Sequence, residues 1–148
     1  MTDDRASDLA DLGRAFEEIV TWLRRTRATT DVSATALSLL DRLDSGGAHR
    51  VTDLAALEGI TQPAATSLVN RLEGRGWAER TADPTDGRAS RVTLTDAGRE
   101  RLRQHREERS QRIAERLALL DAADRAALSA ALPALRHLPA VPAARPTA

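Results

Sequence analysis

Residues 60–100, ITQPAATSLVNRLEGRGWAERTADPTDGRASRVTLTDAGRE, decide the fold. The first third predicts a helix that begins at Thr61 or Gln62, because Pro63 suits a first turn, where its missing N–H is harmless. Glycines at 74 and 76 mark the end of this helix. Its apolar residues recur at helical spacing and share one face: Ala65, Leu68, Val69 and Leu72.

An antiparallel hairpin is predicted directly after this helix. Residues 77–81 form the outgoing strand, and residues 91–94 alternate as the returning strand. The turn between them is assigned to Asp86-Gly87, since an Asp-Gly pair favours a two-residue hairpin turn. Arg88 is thereby placed near the tip of a stiff loop.

Helices are expected on both sides of this segment. Apolar periodicity and the candidate N-caps Ser33, Thr52 and Thr95 (or Asp96) place them at residues 9–26, 34–46, 52–59, 95–120 and 122–137. Two helices joined by a tight turn and followed by a hairpin make a winged helix-turn-helix. The expected fold class is mainly α with a small β-hairpin wing: a winged helix-turn-helix domain at 29–100, dimerisation helices at 1–28 and 101–138, and a flexible tail at 139–148.

Composition narrows the class of protein. The 148 residues suit one domain, and a chain with 41% hydrophobic but only 2% aromatic residues favours helices. Arginine supplies every cation, and 22 cations balance 22 carboxylates, so net charge gives no argument for nucleic acid. Any affinity for DNA must come from the placement of individual arginines.

Several kinds of site are not expected. The chain has no cysteine, which excludes disulfides and thiolate metal sites, and its three histidines match no metal-ligand spacing. We therefore expect no metal and no cofactor. No nucleophile–base pair and no glycine-rich phosphate loop is present, which argues against an enzyme. No transmembrane segment or secretory signal fits, so the protein is expected to be cytoplasmic and without a membrane partner.

The polar face of the helix in residues 61–74 has the chemistry of a DNA-reading surface. It presents Gln62, Pro63, Thr66, Ser67, Asn70 and Arg71, with only one carboxylate, Glu73, at its edge. Arg71 can pair with guanine or phosphate, and Gln62 and Asn70 can read adenine. The hydroxyls of Thr66 and Ser67 can meet phosphates or base edges. The alternative is an ordinary solvated face, but such faces usually alternate charges.

The wing offers a second contact. If the helix fills the major groove, the hairpin tip lies near a minor groove, where arginine gains from the enhanced negative potential. Arg88 is the residue expected there, and Asp86 could hold it in position. The alternative is that an Asp86–Arg88 pair only stiffens the loop. Thr52 and Arg91 complete the predicted DNA contacts.

These residues resemble the MarR family of bacterial transcriptional regulators. The similarity lies in the helix-turn-helix, the DPTDGR wing (83–88) and VTLTDAGR (92–99) at the entry to a long helix, and it extends over about residues 16–138. It implies a homodimer on a pseudo-palindromic operator in double-stranded DNA, usually a repressor released by a small phenolic or lipophilic effector. It also implies that Arg88 enters the minor groove. Family members that sense peroxides use a cysteine, which this chain lacks.

The flanking helices are expected to build the dimer, because two half-sites require two reading helices roughly 34 Å apart. Apolar stripes without another obvious partner comprise Leu9, Leu12, Phe16, Leu117, Leu120, Leu128, Leu132 and Leu135. The alternative is packing within one protomer. The family's effectors bind between the dimerisation helices and the DNA-reading domain, and Phe16, Trp22 and His105 are candidates for that site or for ordinary core and surface. A winged helix used for protein contact, without an operator, is the competing function.

Overall fold

The computed structural model describes residues 2–25 and 32–140, with only the backbone of residues 2–6, 87 and 88. Six helices and a three-stranded sheet follow one another along the chain. They are α1 (Thr2–Arg25), α2 (Ala34–Gly46), β1 (His49–Arg50), α3 (Val51–Glu58), α4 (Gln62–Gly74), β2 (Ala78–Asp83), β3 (Asp86–Leu94), α5 (Asp96–Leu117) and α6 (Ala122–His137), with a 3-10 turn at Leu138–Ala140. The predicted mainly α class with a small β wing is confirmed.

One hydrophobic core lies between residues 32 and 102. Helices α2 and α4 supply most of it, and α3, the sheet and the start of α5 close it. Its fully buried large side chains are Leu39, Leu40, Leu43, Leu54, Val69, Leu72 and Val92. Among the described side chains of α1 and α6, none is buried. The winged domain is therefore the part of the protomer with its own core, and the flanking helices leave apolar surface exposed.

Side-chain caps set the beginnings of three helices where the sequence predicts them. The hydroxyl of Ser33 accepts a hydrogen bond from the Ala36 N–H at 3.2 Å and starts α2. Thr61 caps α4 through the N–H of Ala64 at 3.4 Å, and Pro63 lies in the first turn. Thr95 starts α5 in the same way, as described below.

The predicted cap at Thr52 is wrong. Helix α3 begins at Val51, directly after β1, and its N-cap is Arg50, which makes no side-chain capping bond. Thr52 lies inside the first turn, where its hydroxyl faces the carboxylate of Asp53 at 3.5 Å. Because the chain runs from strand to helix without a loop, the N-cap position falls on the last strand residue, whose long side chain does not cap the helix. Leu57, on the same helix, is 46% exposed.

The sheet has a third strand that the sequence did not reveal. The strand order is β1-β3-β2, and both pairings are antiparallel. In β1, His49 pairs with Val92 and Arg50 with Arg91. A strand of two residues is too short to show the alternation on which strand prediction rests.

The hairpin turn is at Pro84-Thr85, and the predicted turn at Asp86-Gly87 is wrong, since both residues belong to β3. Asp83 makes the turn: its Oδ1 accepts hydrogen bonds from the N–H of Thr85 at 2.9 Å and from the Thr85 hydroxyl at 2.7 Å. Pro84 supplies the fixed φ that turns favour. The pairing then shifts, because Ala82 pairs with Ser90 while Asp83 pairs with Asp86. Residues 87–89 thus form a bulge at the end of the wing.

The start of α5 is tied to the corner between α4 and β2. The Thr95 hydroxyl accepts from the Gly98 N–H at 3.0 Å and donates to the carbonyl of Gly76 at 2.6 Å. Farther along α5, an Nη2 of Arg106 binds Asp41 on α2 at 2.6 Å. The guanidinium carbons of Arg75 and Arg101 lie 4.9 and 5.9 Å from the centre of the Trp77 ring. These contacts hold the first half of α5 against the winged domain.

The predicted ends of the outer helices agree only in part with the structure. The predicted end of the first helix at Thr26 and the predicted tail beyond Ala140 lie outside the described residues. Helix α5 stops at Leu117, three residues short of the prediction, and α6 has its predicted bounds. None of the described helices is long and apolar enough to cross a membrane.

Candidate DNA-binding surface

The six residues predicted on the reading face, five polar residues and a proline, lie together. They line one shallow, open groove along α4, which we call the reading groove: Gln62, Pro63, Thr66, Ser67, Asn70 and Arg71. The opposite face of the helix is buried. The groove results from the helical repeat, because the residues between the buried positions point to solvent. Thr52 lies exposed on α3 and is not among the lining residues.

Contacts within the protein decide what two of these side chains can offer a ligand. The Thr66 hydroxyl donates to the carbonyl of Gln62 at 2.9 Å, so it can only accept from a ligand. Arg71 is exposed and has no ion-pair partner among the residues that the structure describes. Its planar fork is therefore available for phosphate or guanine.

A strand residue that the sequence analysis did not single out reaches the reading groove. Arg80, on β2, donates from Nη2 to Oδ1 of Asn70 at 2.9 Å, and its Nη1 pairs with Glu73. Glu73 is the carboxylate at the edge of the reading face, so this pair compensates its charge. The contact joins residues ten positions apart on a helix and a strand, and no local pattern in the sequence relates them.

Asp83 braces the wing from within. Its side chain is fully buried, and Oδ2 lies 2.7 Å from Nε of Arg50 and 3.1 Å from Nε of Arg91. The pKa of Asp83 lies well below its ordinary value of 3.8, chiefly because the carboxylate accepts bonds from the Thr85 hydroxyl and N–H. Bonds from the two arginines lower the pKa further, whereas burial raises it. The hydrogen bond to Asp83 in turn raises the pKa of Arg50. One charged group thus joins all three strands of the sheet.

The predicted wing contacts have different surroundings. Arg91 directs Nε to Asp83 and is one-third exposed, so part of its guanidinium braces the wing. Asp86 lies 3.9 Å from Nη2 of Arg50. The backbone of Arg88 lies in the bulge, but its side chain, and hence the predicted pairing with Asp86, is outside the described part of the structure. Arg50 was not identified from the sequence; the turn chemistry of Asp83-Pro84-Thr85 was the signal for this brace.

A second concave site lies between α1 and α5. This cleft has a volume of about 360 Å³ and brings Trp22 and His105 together, whereas Phe16 is not among its lining residues. The lining comprises Trp22, Leu23, His105, Arg109, Arg112, Ile113, Glu115, Arg116 and Leu119. Nδ1 of His105 is buried and has no hydrogen-bond partner among the described residues. Burial, followed by repulsion from Arg101, lowers the pKa of His105.

An apolar groove adjoins this cleft. Ile19 and Trp22 of α1 face Leu117, Leu120 and Leu128 across it. The predicted dimer residues Leu9, Leu12, Phe16, Leu132 and Leu135 are exposed on α1 and α6. Within the described ranges, no group of three or more histidine and carboxylate side chains is placed to hold a metal ion.

Comparisons with known proteins point to one family. The sequence profile of the MarR family matches residues 32–90. A Mycobacterium bovis protein named "Uncharacterized HTH-type transcriptional regulator Mb0904" is 32% identical over 131 residues, which cover 88% of this chain and 92% of that protein.

Two solved structures share the fold over most of their length. Transcriptional regulator Tm0710 from Thermotoga maritima superposes with a TM-score of 0.73 at 25% identity, covering 87% of this chain and 94% of that one. Bordetella bronchiseptica BpsR gives a TM-score of 0.55 at 26% identity, covering 84% and 89%. The BpsR structure is described as a mechanism for regulation of its DNA binding by 6-hydroxynicotinic acid.

Proposed function

This chain belongs to the MarR family of helix-turn-helix transcriptional regulators, and we propose that it binds a pseudo-palindromic operator as a homodimer and represses transcription there. The observation that carries the proposal is the reading groove: five polar side chains and Pro63, without a carboxylate, line one exposed face of α4. A helix of this kind fits a major groove about 12 Å wide. Sequence preference then comes from its side chains and not from net charge.

The helix and the wing contact different grooves of the DNA. In the major groove, the free fork of Arg71 meets guanine or phosphate, and Gln62 at the start of α4 reads adenine. In the neighbouring minor groove, Arg88 in the wing bulge is attracted by the local negative potential. The buried brace at Asp83 supports this arrangement, because it holds the wing strands in register beneath the bulge.

The dimer is supported by the distribution of exposed apolar side chains. Of the described large apolar side chains that are exposed, all but Leu57 lie on α1, at the end of α5 or beyond it. Monomeric proteins rarely expose a contiguous apolar surface of that kind. A second copy on this surface would supply the second α4 helix that an operator with two half-sites requires. We call these exposed apolar side chains of α1, the end of α5 and the segment after it the dimer surface.

The cleft between α1 and α5 is proposed as the effector site. Its volume of about 360 Å³ suits a small molecule. Trp22 offers an aromatic face, and Arg109, Arg112 and Arg116 outnumber the one glutamate, so the lining favours a small aromatic anion. The effector known for the similar BpsR, 6-hydroxynicotinic acid, belongs to that class. Such a ligand would release DNA only if it bound one spacing of the two α4 helices better than the other.

Selection of DNA fragments by the purified protein tests the operator. We expect enrichment of an inverted repeat, followed by a specific gel shift whose affinity falls with salt. The absence of any specific shift at submicromolar protein would contradict operator binding and favour the competing function, a winged helix that contacts another protein.

Fluorescence titration tests the effector. Trp77→Phe leaves Trp22 as the sole indole, so quenching by 6-hydroxynicotinic acid would report binding in the cleft. We expect the same ligand to weaken the gel shift, and Arg112→Ala to reduce both effects. A ligand that neither quenches Trp22 nor changes the gel shift is not the effector, and the same result across a set of aromatic acids would contradict this site.

A further inference from the structure

The reading groove of α4 and the wing meet at three side chains. Arg80 donates from Nη2 to Oδ1 of Asn70 at 2.9 Å, and its Nη1 pairs with Glu73. Asn70 is exposed in the reading groove, while the side chains of Arg80 and Glu73 are 32% and 25% exposed. The bound arginine is therefore partly shielded, but the amide that it holds faces outward.

This contact determines which way the Asn70 amide points. A guanidinium has only donors, so the atom of Asn70 that faces Arg80 must be the oxygen. The amide NH₂ is then the group that Asn70 can direct into the reading groove. Glu73 fixes the second arm of the guanidinium, so Arg80 cannot easily turn away and release the amide.

Asparagine reads adenine by using both ends of its amide, because it accepts from N6 and donates to N7. Because Oδ1 is turned toward Arg80 and bonded there, the end of the amide that Asn70 presents to the groove is its NH₂, a donor. Guanine presents two acceptors, O6 and N7, in the major groove, and thymine presents O4. The amide found here therefore matches an acceptor edge, contrary to the sequence-based expectation that Asn70 reads adenine.

We propose that Arg80 is a specificity-determining positioning residue, which holds the Asn70 amide so that it reads guanine or thymine and discriminates against adenine. The inference rests on the proposed operator binding by α4. Arg80 itself need not touch a base. Its role is to make one orientation of a neighbouring side chain permanent before DNA arrives.

Selection from a random DNA pool tests this role. Asn70→Ala identifies the base pair that Asn70 reads, as the position whose preference it abolishes. The unmodified protein should prefer guanine or thymine over adenine there by about tenfold. Arg80→Met keeps the length of the side chain but frees Oδ1, so adenine should become acceptable at that position alone. Arg75→Met is the matched control, because Arg75 ends α4 and lies over Trp77; it should leave every base preference unchanged.

A second variant works even if Arg80→Met does not fold. Asn70→Asp keeps the shape and the bond to Arg80 but presents an acceptor to the DNA. We expect the preferred base to change from guanine or thymine to one with a donor, cytosine or adenine. An adenine preference in the unmodified protein, or base preferences that Arg80→Met and Asn70→Asp leave unchanged, would overturn the inference while operator binding stands. Failure to enrich any sequence would overturn the proposed function as well.

Discussion

Gly98, in the first turn of α5, lies against the carbonyl oxygen of Trp77, the residue directly before β2. A Cβ atom on Gly98 would stand 2.0 Å from that oxygen and 2.7 Å from Cδ1 of Leu94. The N–H of Thr95 donates to the same carbonyl at 3.1 Å. The long helix therefore meets the sheet at a distance that only glycine permits, which gives the glycine of VTLTDAGR a physical reason.

Replacing that glycine tests the contact. We expect Gly98→Ala to lower the free energy of unfolding by about 1–3 kcal/mol, because backbone would have to move, and this exceeds the gain from alanine's helix propensity. Urea unfolding measures the change. Gly74→Ala is the control, since no described atom beyond its chain neighbours and the adjacent helix backbone lies within 4 Å of its Cβ position; it should be neutral or stabilising. Equal stability of the two variants would contradict the close contact.

The buried brace of the wing gives a second prediction. Asp83→Asn keeps the shape but removes the charge that Arg50 and Arg91 share, and it turns a donor toward one side of the site. We expect the Tm to fall by several degrees at neutral pH. A Tm equal to that of the unmodified protein would mean that the brace contributes nothing.

The same carboxylate predicts a dependence on pH. Because the pKa of Asp83 is lower in the folded protein than its ordinary value of 3.8, the folded state binds fewer protons than the unfolded state in acid. The stabilisation is complete above the ordinary pKa and is lost as the pH falls below it. The Tm difference between the unmodified protein and Asp83→Asn should thus be constant above about pH 5 and shrink below about pH 4. A constant difference down to about pH 2 would exclude this origin.

How far the sequence predicts the structure depends on the range of the interactions. Helix starts at Ser33, Thr61 and Thr95 were predictable, because each cap bonds an N–H three residues ahead. The reading groove followed from helical periodicity alone. The Asp-Gly pair predicts the wing turn at the wrong place, because the turn is set by the Asp83 side chain, which bonds Thr85 two residues on.

Other features depend on contacts between distant residues. Arg80 reaches Asn70 only because β2 passes α4, and Arg50 reaches Asp83 only because a two-residue strand joins the sheet. Tertiary contacts of this kind leave no periodic pattern in the sequence. They nevertheless decide which way Asn70 points and what supports the wing. The sequence therefore predicts which residues form the candidate DNA-binding surface, but not how their side chains are oriented.

The dimer surface gives a fourth prediction. A carboxylate introduced at Leu132 of α6 would be buried between two copies, so Leu132→Asp should convert the protein to a monomer in light scattering. Leu57→Asp is matched in chemistry and in exposure, at 46% against 43%, but lies on α3, away from the dimer surface. It should leave the mass unchanged. Two variants of equal mass would contradict the proposed interface.

Replacing the arginine on the helix and the arginine in the wing should weaken DNA binding in different ways. Arg71 has no ion-pair partner in the described structure and faces the reading groove, so Arg71→Ala should reduce affinity for the operator far more than for random DNA. Arg88 is proposed to meet the potential of the minor groove, so Arg88→Ala should weaken binding to the operator and flatten its dependence on salt by about one ion. Titrations of both variants on operator and random DNA at several salt concentrations separate the two effects. Equal weakening of both DNAs by Arg71→Ala would make Arg71 a phosphate contact, and an unchanged affinity in Arg88→Ala would leave Arg88 a role in solubility alone.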